Sequence, residues 1–319
     1  MLEGTPISAT ATREPARQSV GGLTGARRVA RSESLLFLLF VAPNLILFGI
    51  FTYWPLVYSG YLSLTRWDMI SPKKTWVGLN NYSFLLSDDS FRTVLKNTFV
   101  FAAGAVGGSL ALGLLIALLL NQPLRLRDGA RAVVFAPTLL SGAAISIVWV
   151  YIFDPRYGLM RQVLDPFGIP SPTWLRDPFW AMVAVIIVYI WKNVGFAAVI
   201  FLAGLQTIPK DLYEAAKVDG AGAFNRFRNV TLPMLSPISF FLLVTSILNT
   251  FQAFDIIQVM TAGGPVDATN TLIYYTYEQG FVAFNAGRAA AASMILFVVM
   301  LTVTLVQLRY AERKVHYGG

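Results

Sequence analysis

The residues of this sequence that could do chemistry are few and of one kind. Cysteine is absent, and the single histidine is His316, near the C-terminus. Thiolate nucleophiles, disulfides and Cys- or His-ligated metals are therefore set aside for the rest of the chain. What remains is a lysine inside an apolar run, Lys192, flanked by Trp191 and Asn193, and a polar series at spacing three: Ser246, Asn249, Gln252 and Asp255. Such groups bind through charge and hydrogen bonds; they do not form the clustered nucleophile, base or metal set that an enzyme needs. A lysine at mid-bilayer is unfavourable by ~2.5–3.5 kcal/mol on insertion scales, so Lys192 is expected to face protein or a water-filled cavity. Two roles are open to it: a structural pair, with Asp255 as partner, or attraction of an anionic ligand. The polar series forms a slowly winding stripe that does not suit lipid. It reads as the lining of a polar path that hydrogen-bonds a hydroxyl-rich ligand, with helix-to-helix hydrogen bonding as the other reading. Trp191, Phe251 and Phe254 lie beside these residues, as stacking surfaces or as packing.

The elements that must hold these groups follow from hydropathy. Of 319 residues, 55% are hydrophobic and only 13% charged, with a mean hydropathy of +0.59. A soluble domain is near 25% charged. The expected class is an all-α polytopic membrane protein, because helices satisfy their own backbone in hydrocarbon. Six runs are long enough to cross a bilayer: 35–62, 93–120, 132–153, 179–205, 235–260 and 289–308. Pro43 and Pro55 bend the first, and Pro137 lies near the start of the third. Gly104, Gly107, Gly108 and Gly113 on the second permit close helix approach. Residues 1–34 read as a flexible basic tail, 35–92 as the first span with an external segment, 93–308 as the core and 309–319 as a basic C-terminal tail. The pair Arg27 and Arg28 before an apolar run is not read as a secretory signal, since the run continues to Pro55 without a small-residue cleavage site.

Six spans place both termini on one side, and charge says which. The side with the termini carries Arg13, Arg17, Arg27, Arg28 and Arg31, then Arg125, Arg127 and Arg131, then Lys210, Lys217, Arg226 and Arg228, and finally Arg309, Arg313 and Lys314. The opposite side holds nine basic residues against these fifteen, so the termini are expected in the cytoplasm. The net charge of +8 is thus a consequence of topology, and nucleic-acid binding is not inferred.

One polar island interrupts the apolar pattern, residues 214–233, EAAKVDGAGAFNRFRNVTLP. Its charges keep it at a membrane surface. Pro209 and Asp211 favour a helix start, Ala215 and Ala216 favour helix, and Gly220 and Gly222 end it with a bend. Phe224, Phe227 and Val230 begin a second short amphipathic helix, and Pro233 marks the next span. The spacing of Glu214, Ala215, Ala216, Gly220, Val230, Leu232 and Pro233 resembles the EAA loop of binding-protein-dependent ABC importer permeases. Val230 stands where isoleucine is commoner. The resemblance extends over nearly all of residues 35–317, through Gly78 to Tyr82 (GLNNY), the Trp191 to Asn193 triplet, the turn at Gly263, Gly264 and Pro265, and the closing RYAERKVHY. Within the carbohydrate-uptake branch, Thr271 to Tyr274, Glu278, Gly280 and Phe281 resemble glycerol-3-phosphate permeases.

The resemblance implies a type I ABC importer permease in a bacterial inner membrane. It implies a four-part core of this chain, a second homologous permease and two ATP-binding subunits, served by an extracytoplasmic binding protein. The sequence has no GxxxxGK[ST] and no Gly-Lys pair at all, so ATP and magnesium are expected on the partners and no cofactor on this chain. The loop 207–234 would couple to the ATPase through Glu214, Ala215, Ala216, Asp219, Gly220, Leu232 and Pro233. Glu214 would cap or ion-pair, the alanines would allow close packing and Gly220 would make the bend. Lys192, Asn193, Asn249, Gln252 and Asp255 would line the substrate path. The expected solute is glycerol-3-phosphate or a glycerophosphodiester, with a maltose- or trehalose-type sugar as the alternative and a secondary transporter as a remote one.

Overall fold

The structure, a computed structural model, describes residues 37–123 and 127–314. The expected tail 1–34, Arg125 and His316 lie outside the described residues. Among the described residues, four apolar helices are long enough to cross a membrane: Phe37–Ser63, Asp89–Leu120, Pro178–Thr207 and, within the last helix, Ala286–Arg309. Two more crossings are bent pairs, Arg127–Leu139 with Gly142–Ile152 at 101° and Ala223–Met234 with Ser236–Phe251 at 64°. The contacts divide the chain after Val57. Residues 58–319 form the compact unit that carries the sites discussed below.

Local chemistry sets the helix starts. Asp88 accepts from Ser90 N (3.1 Å) and begins the second span at Asp89, four residues before the apolar run. Asp177 accepts from Phe179 N and Trp180 N, both at 3.0 Å, with Pro178 at the first helical position. Both are N-caps that satisfy otherwise free amide donors. The second and fourth spans pack along a glycine seam. A methyl at Gly104 would press on Ile186, at Gly108 on Ile190 and at Gly113 on Ala197. Gly107 differs from expectation: nothing lies within 4 Å of such a methyl, and it lines an apolar groove with Phe99, Leu243 and Phe251. The fourth span is the hub, with 44% of its apolar window buried against none for the first. Phe101, Val185, Val188, Phe153 and Ile257 form one core around it, and Phe201, Leu205, Ile208, Leu235 and Leu242 another toward the loop 207–234.

Two spans are not the straight helices that hydropathy suggests. The third runs as a helix over Arg127–Phe135, tightens to a 3₁₀ turn at Ala136–Leu139, and passes through extended Leu140 and Ser141 before Gly142–Ile152. Pro137 supplies no amide hydrogen, so the ladder cannot continue through it; Leu140 N instead returns to Pro137 O at 3.1 Å. The fifth ends at Phe251, not near Met260, and a separate short helix, Asp255–Met260, follows. The apolar count ran through this break because Ala253 and Phe254 are apolar and carry no turn signature.

The segment after the first span is more ordered than a loop. Thr65–Arg66 pairs antiparallel with Thr75–Trp76, and Asn80–Ser87 is helical. Buried Asn81 donates to Ser63 O (2.8 Å) and Thr65 O (2.9 Å), which gives the Gly78 to Tyr82 motif a physical purpose. A methyl at Gly287 would collide with Thr65 O, so the last span closes against the same strand. The turn at Gly263 forms as expected, with φ +79°, and Asn97 Nδ2 holds it to the second span through Asp267 O (2.6 Å).

Candidate functional site

The first candidate site is the polar island. Its helix spans Lys210–Val218 with Asp211 in the first turn; Pro209 is the N-cap, one position earlier than a first-turn proline. The helix ends in a Schellman arrangement: Ala221 N donates to Ala216 O (2.9 Å) and Gly220 N to Lys217 O (3.0 Å). Gly220 takes φ +76°, a left-handed conformation that glycine adopts without penalty. The chain then forms Ala223–Arg226, a π-helical turn at Phe227–Thr231 and Leu232–Met234. Glu214, Ala215, Asp219, Gly220, Leu232 and Pro233 are exposed, and Ala216 is half-buried. Apolar Val218 and Phe224 stand 88% and 70% exposed within this otherwise charged surface.

Tyr213, Thr231 and Ile208, none of them part of the motif's spacing, fix the island to the bundle. Tyr213 Oη and Thr231 Oγ1 share a hydrogen bond of 3.1 Å. Ile208 is 7% exposed and packs with Leu205, Tyr213, Val230 and Leu235. A displacement of the island therefore pulls directly on the ends of the fourth and fifth spans.

The second candidate site is the break in the third span, where residues distant in sequence meet. Thr138 Oγ1 donates to Lys192 O (3.0 Å), so the 3₁₀ turn is tied to the middle of the fourth span. A methyl at Gly195 would collide with Val134 O, and one at Gly142 with the Asp255 carboxylate. These glycines let the broken segment sit against its neighbours. Asp255 thus lies at the N-terminus of the half-helix Gly142–Ile152, where the helix dipole favours a carboxylate. Its Oδ1 also accepts from Ile256 N (2.9 Å).

This geometry corrects the expected Lys192–Asp255 pair. The ion pairs among the described residues are Arg92–Asp89, Arg131–Asp128 and Arg161–Asp165, all local. Asp255 is held by backbone dipoles instead, and no carboxylate pairs with Lys192 among the described residues. The polar series is also divided. Ser246 and Asn249 lie on the fifth-span helix, Gln252 is its C-cap and Asp255 starts the next helix. Asn249 and Gln252 are exposed and Lys192 half-buried. Asn193 directs its amide to Tyr189 O (2.8 Å), which uses one of its two donors within its own helix. Trp191 packs edge-on against Trp149 with centroids 5.5 Å apart. Both line an apolar cavity of about 330 Å³ with Leu140, Ile145 and Val148.

Among the described residues, no group of His, Cys, Asp and Glu is placed to hold a metal. The two sites are thus a charged surface helix with its bend and a polar break in the third span.

Comparison with known proteins gives the same picture. The profile of the family described as binding-protein-dependent transport system inner membrane component matches residues 109–317. The chain is 38% identical over 283 residues to the sn-glycerol-3-phosphate transport system permease protein UgpA of Agrobacterium fabrum, covering 88% of this chain and 96% of that one. It is 37% identical to the protein of the same name from Shigella flexneri, covering 92% and 100%. Its fold matches a bacterial ABC transporter involved in the import of the acidic polysaccharide alginate, with TM-score 0.76, 25% identity and coverage of 90% and 99%. On the strength of the profile match and of relatives aligned along nearly their whole length, the chain belongs to the family of binding-protein-dependent transport system inner membrane components.

Proposed function

We propose that the chain is a permease subunit that carries glycerol-3-phosphate or glycerophosphodiesters inward, driven by ATP hydrolysis on separate subunits. One observation carries the solute assignment: relatives named as sn-glycerol-3-phosphate permeases share 34–38% identity over 88–92% of this chain. The break in the third span supports it. Lys192 offers a cation without a resident carboxylate partner, which suits an anionic solute, and Asn249 and Gln252 offer exposed hydrogen-bonding groups. The disaccharide alternative draws no support from these relatives.

In this reading the working assembly pairs the chain with a second permease, two ATP-binding subunits and an extracytoplasmic binding protein. ATP and magnesium bind the ATPase subunits. The chain sits in the inner membrane with both termini in the cytoplasm, and the loop 207–234 meets the ATPase. Glu214 and Asp219 provide charge, Ala215 and Ala216 a close-packing face, and Gly220 the bend. Leu232 and Pro233 lead into the fifth span. Exposed Val218 and Phe224 are apolar surface that a protein partner covers. Closure of the ATPase subunits pushes the loop, and Tyr213, Ile208 and Leu235 transmit that push to the spans as a rigid-body rotation.

Uptake of labelled glycerol-3-phosphate, glycerophosphocholine and maltose in cells lacking the gene, and in rescued cells, tests the assignment. Loss of only the phosphate esters is the expected result. Loss of only maltose uptake overturns the solute assignment and leaves the family standing.

A further inference from the structure

The helix Arg127–Phe135 carries an arrangement that the transport reading does not use. Arg127 and Arg131 are one turn apart and share a face. Their Nη2 atoms converge on the end of the Gln206 amide, and with that amide turned so that its oxygen faces them it accepts from both, at 2.7 and 3.0 Å. The Nε–H of each is buried without a partner. The one carboxylate nearby is Asp128, 94% exposed and 3.4 Å from Arg131 Nη1, a long and solvent-screened pair of little energetic weight. No ion pair joins Arg127 to a carboxylate among the described residues. Two guanidinium groups thus stand side by side, faced among the described residues by one neutral amide and one exposed carboxylate.

Their place in the membrane follows from the helices they touch. Gln206 is the penultimate residue of the 30-residue fourth span. At 1.5 Å per residue such a helix is about 45 Å long, well beyond a hydrocarbon core of about 30 Å. Its last turn stands among the lipid headgroups. The segment Arg127–Leu139 runs back along the fourth span, from the arginines at Gln206 to Val134 at Gly195 and Thr138 at Lys192. The arginines therefore stand at the end of the segment that lies at headgroup level, a position that suits contact with an anionic membrane surface. Basic pockets between helices at this level bind anionic headgroups, and guanidinium groups match phosphate oxygens in geometry and charge.

We propose that Arg127 and Arg131, oriented by Gln206, form a site for the phosphate of an anionic phospholipid. The lipid phosphate accepts from the exposed parts of the two guanidinium groups and anchors the broken third span at the membrane surface. The site is independent of which solute is carried.

The test uses the assembled transporter in vesicles of phosphatidylcholine containing a minority of phosphatidylglycerol. After gentle extraction, the lipid retained per complex is measured by mass spectrometry for wild type, the Arg127→Gln/Arg131→Gln pair and the Arg127→Lys/Arg131→Lys pair. Wild type is expected to retain phosphatidylglycerol over phosphatidylcholine, with the lysine pair close behind. The glutamine pair is expected to lose about 30-fold in selective retention, from the attraction of two arginines to an anionic surface. Equal retention by wild type and the glutamine pair overturns the proposal. If the glutamine pair does not assemble, wild type decides alone: no preference for phosphatidylglycerol overturns it as well. A parallel arm adds excess inorganic phosphate. Persistence of the lipid supports a headgroup site, whereas displacement together with thermal stabilisation of wild type shows a free-phosphate site and overturns the lipid assignment.

Discussion

Gly220 gives the sharpest test of how the polar island works, because strain and crowding can be separated there. Its φ of +76° is left-handed, and nothing among the described residues lies within 4 Å of an added methyl. The penalty for Gly220→Ala is therefore backbone strain alone, about 1–2 kcal/mol for an L-residue in this region. That lowers the population of the bent loop by a factor of roughly 5–30. Asparagine tolerates the left-handed region better, so Gly220→Asn should recover most of the loop. Gly220→Asp shares that tolerance but adds a negative charge at the end of a helix, where the dipole opposes it, and at the proposed ATPase contact. The assay is the ratio of glycerol-3-phosphate transported to ATP hydrolysed in the reconstituted complex. The expected order of coupling is wild type, then Asn, then Ala, with Asp assembled but uncoupled. Normal transport in both the Ala and Asp variants refutes the role of the bend. A defect of equal size in Asn and Ala shows that the partner needs the space, and the strain argument fails.

Three further predictions concern the membrane break and the strand pair that follows the first span. Lys192→Met should raise the KM for glycerol-3-phosphate while leaving thermal stability unchanged or higher, since no carboxylate is orphaned and an unfavourable buried charge is removed. A stability loss of about 3–5 kcal/mol, as for breaking a buried ion pair, contradicts it. Gly142→Ala should destabilise by about 1–3 kcal/mol through collision with Asp255, and Asp255→Ala by up to about 2 kcal/mol through loss of the charge at the half-helix. Thermal melts of the singles and the double should show a double loss smaller than the sum, and strict additivity removes the contact from the argument. Finally, Asp68 accepts from Ser71 N (2.7 Å), Ser71 Oγ (2.8 Å) and Ile70 N (3.1 Å), and the Ser71 amide foremost holds its carboxyl below the usual 3.8. A lowered folded value means that the order it confers is present above the unfolded value and is lost as pH falls through the folded one. Trp67, whose Nε1 donates to Ser71 O (2.8 Å), should change its emission in that acid range. Asp68→Asn should show the changed emission already at neutral pH.

Whatever depends on composition and short spacing could be read directly from the residues. Apolar runs long enough for a bilayer, a charged island that hydrocarbon cannot hold, the absence of cysteine and the glycine that ends the island's helix are all local properties. They were enough for the fold class, the membrane setting and the helix and bend that open the island. The glycine seam of the second span was legible for the same reason, except at Gly107, whose surroundings are set by other helices. The tertiary structure alone decided which distant residues meet. Hydropathy counts cannot register that Pro137, Leu140 and Ser141 break a span or that Asn249 and Gln252 end a helix short of Asp255, because each segment remains apolar on average. The pairing of Lys192 with Asp255 failed because mid-membrane charge permits more than one partner, and the nearby half-helix supplied backbone dipoles that no side-chain pattern announces. Gly142, Gly195, Gln206 and Arg127 carry no short-range signal, since their roles arise only when helices far apart in sequence are packed within a few ångströms.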